Sequence, residues 1–199
     1  MLKGAIARRY AGAMFDLALK QNTLDRTLDD VQGIGQLFSK HTLAYLLREP
    51  KVSPQRKETA LRESLGTRVL PMSLNLALLV VQRGLVEVMP NIATELQQMV
   101  LDYKNQAIAQ VTTAAPMDAQ QQALVKQALE QQTGKTILLQ TKVNPAILGG
   151  VVARVGDQVI DGSIQQRLQV LKRQLINGLA TESIDELVLQ SQGANPIEA

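Results

Sequence analysis

Apolar residues recur at the period of an α-helix through the first hundred positions, and two of the predicted helices are unusually apolar. In residues 3–20, Ile6, Tyr10, Ala13 and Leu17 fall on one line, with Ala7, Ala11 and Ala18 on the next. Phe15 widens the apolar arc to roughly 200° at about 100° per residue, twice what one seam of a bundle uses. The segment 74–89 reads as a second such helix. Leu74, Ala77, Leu78, Val80, Val81, Leu85, Val86, Val88 and Met89 cover most of its circumference, broken by Asn75, Gln82, Arg83 and Glu87. A helix apolar on every side must be buried on every side, so the pattern predicts a cover from outside the chain.

Between these two, Leu24–Lys40 and Thr42–Arg48 are amphipathic, and Glu49-Pro50 ends the second because proline pushes its predecessor out of the α region. Ser53-Pro54 reads as an N-cap with proline at the first helical position, opening Gln55–Leu65. Pro90 starts a further helix, Asn91 to about Ala107. About six helices joined by short loops form the pattern of a bundle.

The texture changes near residue 108. Ile108–Ala114 and Thr136–Val143 read as strands on either side of a Gln-rich helix, Asp118–Gln132. Leu148–Val155 and Gln158–Ile160 flank Gly156-Asp157, which suits a two-residue hairpin turn with glycine first. Ser163 and Gln166 are spaced as a capping box for a last helix carrying Ile164, Leu168, Leu171 and Leu175. The expected architecture is α+β in two domains: an N-terminal six-helix bundle over residues 1–107 and a small C-terminal α/β sandwich-like domain over 108–180. An acidic tail, 181–199, follows; it is expected to be partly disordered, with a short helix at Ser183–Leu189.

Composition narrows the function classes. The absence of cysteine removes disulfides and thiolate metal sites, and a single histidine, His41, argues against a zinc cluster or a catalytic triad. Residues 1–105 carry a net charge of +4 and residues 106–199 one of −1, without the clustered basic stripe a phosphate-backbone binder needs. With aromatic residues at 3%, stacking of single-stranded nucleic acid is disfavoured too. No apolar run approaches the roughly 20 residues that span a bilayer, and residues 1–9 lack a signal-peptide core. Gly149-Gly150 and Gly156-Asp157 match neither the Walker nor the dinucleotide spacing and read as close packing and a turn. Asp157 and Asp161 fall in turn chemistry, and no pocket for acid–base work is legible around them.

Three segments together resemble the delta subunit family of F-type ATP synthases, the family of the mitochondrial oligomycin-sensitivity-conferring protein. They are Ala7–Ala18 in the first helix, Asn75-Leu76 with Arg83-Gly84-Leu85 and Met89-Pro90, and Leu148–Ser163 followed by Arg167-Leu168. The resemblance spans about residues 3–178, and the C-terminal run is its most distinctive part. Gln165-Gln166 stand where the family often has a basic residue and glycine, and Asn144-Pro145 where Asp-Pro is common.

The resemblance implies a non-catalytic stator subunit of the peripheral stalk, with no cofactor and no metal. It implies that helices 1 and 5 form a groove for the N-terminal helix of an alpha subunit, the helix-in-groove mode. The residues carried over are Tyr10, Ala13, Met14 and Leu17 with Leu76, Leu79, Val80 and Arg83. Gly149, Gly150, Gly156, Asp157, Asp161, Gly162, Ser163 and Arg167 would be structural or would bind the b-subunit stalk. The implied setting is one copy per complex on the cytoplasmic face of a bacterial inner membrane, with no membrane insertion and no nucleic acid. Two rivals from other classes are a small enzyme built on the C-terminal glycines and aspartates, and a nucleic-acid adaptor.

Overall fold

A computed structural model of the chain describes residues 2–173. It is α+β, and the chain divides into two compact units, with the boundary between Asn105 and Gln106. The first unit holds α1 (Leu2–Lys20), α2 (Leu24–Ser39), α3 (His41–Arg48), α4 (Pro54–Leu65), α5 (Pro71–Gln82), a 3-10 turn (Val86–Val88) and α6 (Met89–Tyr103). The second holds β1 (Gln106–Thr113), α7 (Ala119–Thr133), β2 (Thr136–Val143), β3 (Val151–Val155) and β4 (Gln158–Asp161). Residues 164–173, labelled α8, are helical. The proposed helix in 183–189 lies outside the described residues.

In the first unit α6 is the central element, packed by α1 and α2. Ile34, Met89, Ile92 and Leu96 are fully buried there, each contributing about 1.5–3 kcal/mol of burial. Gly35 lets α2 approach α6 closely, since a Cβ on it would stand 3.1 Å from that of Ala93. The buried Asp30 carboxylate of α2 accepts the Leu70 backbone N–H at 2.7 Å and pairs with Arg26 at 3.2 Å. Arg26 in turn donates to the Arg68 carbonyl at 2.6 Å, so α2 fixes the chain that leads into α5.

The single helix expected over 74–89 is instead three pieces. Gly84 adopts φ +67°, which L side chains resist and glycine does not. Leu85 N–H then donates to the Val80 carbonyl at 2.8 Å and Gly84 N–H to that of Val81 at 3.1 Å. These are the two bonds of a Schellman C-cap. The chain turns back, and Val86, Val88 and Met89 are buried in the bundle core. Leu74, Ala77, Leu78 and Val80 are buried as well, while Val81 and Leu85 are half-buried. The apolar excess of this segment is therefore covered by its own chain, and the inference of an outside cover from this segment is overturned.

The second unit is a four-stranded mixed sheet in the order β2-β1-β3-β4. β1 pairs with β2 in parallel and with β3 antiparallel, and β3 pairs with β4 as a hairpin. Parallel neighbours need a crossover, which α7 supplies. It starts at a capping box between Asp118 and Gln121 and ends at Gly134, φ +67°. Ala109, Val111, Leu129, Ile137 and Ala153 form its small core. The architecture is thus one mixed sheet with a helix packed on β2. The first strand also begins at Gln106, two residues earlier than its apolar pattern suggests, because Asn105 at φ +51° turns the chain out of α6.

Candidate partner-binding surfaces

α1 carries two parallel lines of side chains. Ala7, Ala11, Met14 and Ala18 face the core and are buried. The neighbouring line runs outward, with Ile6 and Tyr10 half-buried and Ala13 exposed, then Leu17 at 45% exposure. On α5, Asn75, Leu79 and Gln82 share one line at spacings of four and three residues, all exposed, with Leu79 at 37%. Arg83, the residue before the turning Gly84, is exposed beside them.

The eight groove residues therefore separate into two sets. Tyr10, Ala13, Leu17, Leu79 and Arg83 present surface to solvent. Met14, Leu76 and Val80 do not: they are 4%, 5% and 0% exposed and belong to the bundle core. A partner cannot reach side chains that already pack against their own chain. α1 and α5 make no extensive contact with each other, yet both lean on α2 and on the 3-10 turn.

A concavity on α5 was not legible in the sequence. A cavity of about 500 Å³ opens on its α3–α4 side, with walls from Leu47, Val52, Leu61, Leu78 and Val81 and with Arg48 among the residues lining it. Glu87 accepts a bond from Lys3 at 2.7 Å and also pairs with Arg48. The Lys3 hydrogen bond, then the charges of Lys3 and Arg48, hold the Glu87 carboxyl below its ordinary value. This ion cluster ties the start of α1 to the end of α3.

In the second unit the C-terminal signature folds into one junction. Gly150 has φ +88°, and a Cβ on it would stand 2.5 Å from the Gly162 carbonyl oxygen and 2.9 Å from Ser163 Cα. The chain entering β3 and the chain leaving β4 thus touch backbone to backbone, bonded by Gly162 N–H to Val151 O at 2.8 Å and Ile164 N–H to Gly149 O at 3.0 Å. Ser163 caps α8 by accepting the Gln166 N–H at 3.1 Å, while Asp161 Oδ1 accepts the Ser163 N–H at 2.9 Å. In a capping box the Gln166 side-chain oxygen would accept the Ser163 N–H; here the carboxylate of Asp161 accepts it.

Hydrogen bonds from Ser163, its backbone first and its side chain second, hold the Asp161 carboxyl below its ordinary value. An acid held ionised by capping is poorly matched to proton donation near neutrality. Gly156, at φ +58°, makes the two-residue hairpin turn with an exposed Asp157. Arg167 lies exposed on the first turn of α8. Seven signature residues thus build the junction and the hairpin, and Arg167 points outward.

The family described as the ATP synthase delta (OSCP) subunit matches residues 6–175. The chain belongs to this family. Subunit delta of the Desulforudis audaxviator ATP synthase is 34% identical over 173 residues, 86% of this chain and 95% of its own. That of Dehalococcoides mccartyi is 32% identical over 174 residues, 87% and 96% of the two chains. A chain in the cryo-EM structure of the Toxoplasma gondii mitochondrial ATP synthase hexamer superposes with a TM-score of 0.62. It is 26% identical and covers 88% of this chain and 98% of its own. The protein is accordingly a non-catalytic subunit of the peripheral stalk of an F-type ATP synthase. Such a stalk keeps ion-driven rotation coupled to ATP synthesis. Among the described residues no helix is long and apolar enough to cross a membrane, consistent with a peripheral part of the membrane complex.

Proposed function

We propose that residues 1–107 act as a six-helix cap on the catalytic head, gripping the N-terminal helix of one alpha subunit. Residues 108–180 hold the C-terminal end of the b-subunit stalk. One copy serves each complex, on the cytoplasmic face of a bacterial inner membrane. The observations that carry the head contact are the exposed line on α1, Ala13 and Leu17, and the exposure of Leu79 and Arg83 on α5. Tyr10, Ala13, Leu17 and Leu79 supply apolar anchors and close approach, and Arg83 a rim charge. Met14, Leu76 and Val80 act from beneath, by setting the positions of the two helices. On the other unit, the junction of Gly149, Gly150, Gly162 and Ser163 aims α8, and Arg167 on it is the proposed stalk contact.

Titration with a peptide from the alpha N-terminus, followed by amide shifts, tests the head contact. The expected shifts lie along α1 and α5. Ala13→Asp should weaken the peptide by about 3 kcal/mol, on the order of a hundredfold, because it buries an uncompensated charge. At an exposed helix position its cost in folding should stay within about 0.5 kcal/mol. Unchanged affinity, or shifts confined to the cavity between α3, α4 and α5, would refute the assignment.

A further inference from the structure

The apolar seam of α8 is open. Ile164, Leu168 and Leu171 follow one another at spacings of four and three residues, and are 46%, 54% and 52% exposed. Spaced so, they form one stripe within about 60° of the helix circumference. Arg167 and Lys172 flank the stripe, and Arg173 follows. The sequence contains no acidic residue between Asp161 and Glu182, so this helix is purely basic. An amphipathic helix with a bare apolar stripe needs a cover.

The same chain carries a segment of matching chemistry. Ile184, Leu187 and Val188 stand at spacings of three and one, all on one side at helical period, among Glu182, Asp185 and Glu186. Residues 174–199 hold four acids and no base. This segment also lies beyond the family match, which stops at residue 175. We propose that the acidic segment 182–189 docks within the molecule on the basic, apolar face of α8.

Reach permits it. Ten helical residues are about 15 Å long at 1.5 Å each, and the eleven residues from Arg173 to Ile184 can extend to about 36 Å. Asn177-Gly178 lies between, a stop-and-turn signal. Tethering favours this occupant over a second copy of the chain, because a short linker holds it at an effective concentration on the order of millimolar. Opposite charge selects α8 over neutral faces, and salt should weaken that selection as the screening length falls from about 10 Å to about 3 Å. The face includes Arg167, the proposed stalk contact, so the segment would compete there with the stalk, while its docking is read without the stalk present.

The chain has no cysteine, so Gln190→Cys gives a unique site for a nitroxide on the full-length protein. The expected result is paramagnetic broadening of the amides of residues 164–173, independent of protein concentration and reduced in about 1 M salt. The double substitution Leu187→Glu, Val188→Glu, confined to the tail, should abolish it. Termination after Ala180 should raise binding of a hydrophobic dye several-fold, and a peptide of residues 181–199 added in trans should reverse that. Three outcomes overturn the proposal: no broadening in α8, broadening that grows with concentration and so reports a second copy, or broadening that survives the double substitution. Stalk binding enters none of these readouts, so its failure and the failure of this proposal are distinguishable.

Discussion

Replacing Gly150 with alanine should cost far more than a glycine-to-alanine change in an open turn. Two terms add. An L residue at φ +88° carries about 1–2 kcal/mol of left-handed strain. The new Cβ would also stand 2.5 Å from the Gly162 carbonyl oxygen, and forcing an atom into a packed site costs about 1–3 kcal/mol. The loss should therefore be about 2–5 kcal/mol, a large share of what a small domain has. Gly156→Ala is the control: φ is +58° but nothing lies within 4 Å, so only the conformational term of about 1–2 kcal/mol applies. Tyr10, Tyr45 and Tyr103 all lie in the first unit and the chain has no tryptophan, so tyrosine fluorescence reports that unit alone. The sheet is followed by hydrogen exchange at Val152 and Arg154, which sit in β3. Gly150→Ala should lower the exchange-derived stability of β3 while the tyrosine transition stays in place. Equal losses for the two substitutions would refute the steric term, and an equal shift in the tyrosine transition would refute its confinement to the junction.

Three further outcomes follow from the bundle. Asp30→Asn leaves a weaker acceptor for the Leu70 N–H and removes the Arg26 ion pair; the midpoint of denaturant unfolding should fall by the equivalent of about 1–3 kcal/mol. Gly84→Ala, with open space but φ +67°, should cost about 1–2 kcal/mol in the tyrosine-monitored transition. Glu87 has a folded-state pKa below its unfolded one, through Lys3 first and then Arg48. Its contribution is present above the unfolded value of 4.5 and disappears as pH falls through the folded value. Glu87→Gln should therefore be less stable than the parent at neutral pH, and the two unfolding curves should converge in acid; a gap that persisted at low pH would sink this reading.

Local signals were legible where one residue type decides the geometry. Ser53-Pro54 starts α4, with Ser53 accepting from the Arg56 N–H, and Gly156-Asp157 makes the hairpin. Gly84 was the costly miss. With Val80-Val81 shortly before it and Leu85-Val86 after it, it reads as helix interior, yet its turn removes four apolar residues from the outer surface of α5. The exposed members of the candidate site carry a signal after all. Leu79 lies on a line with Asn75 and Gln82, and Ala13 on a line with Arg9, Asp16 and Lys20, so polar neighbours mark the wet side. Met14 stands seven residues after Ala7, which places it on the buried line. Leu76 and Val80 could not be sorted this way, because an almost wholly apolar helix has no polar face to orient it. The parallel pairing of β1 with β2 was hidden for another reason: strand order depends on contacts far apart in the chain, to which periodicity is blind.

The first helix of the bundle finds its largest neighbour in the last one. During synthesis the alanine face of α1 lacks its main partner until residue 103 has left the ribosome, some eighty positions after that helix is complete. Any nascent or prematurely terminated chain shorter than this leaves part of that apolar strip uncovered, a ready target for chaperones and proteases. Quality control of the subunit is in this sense written into its helix order, since only a chain long enough to include α6 can hide its own beginning.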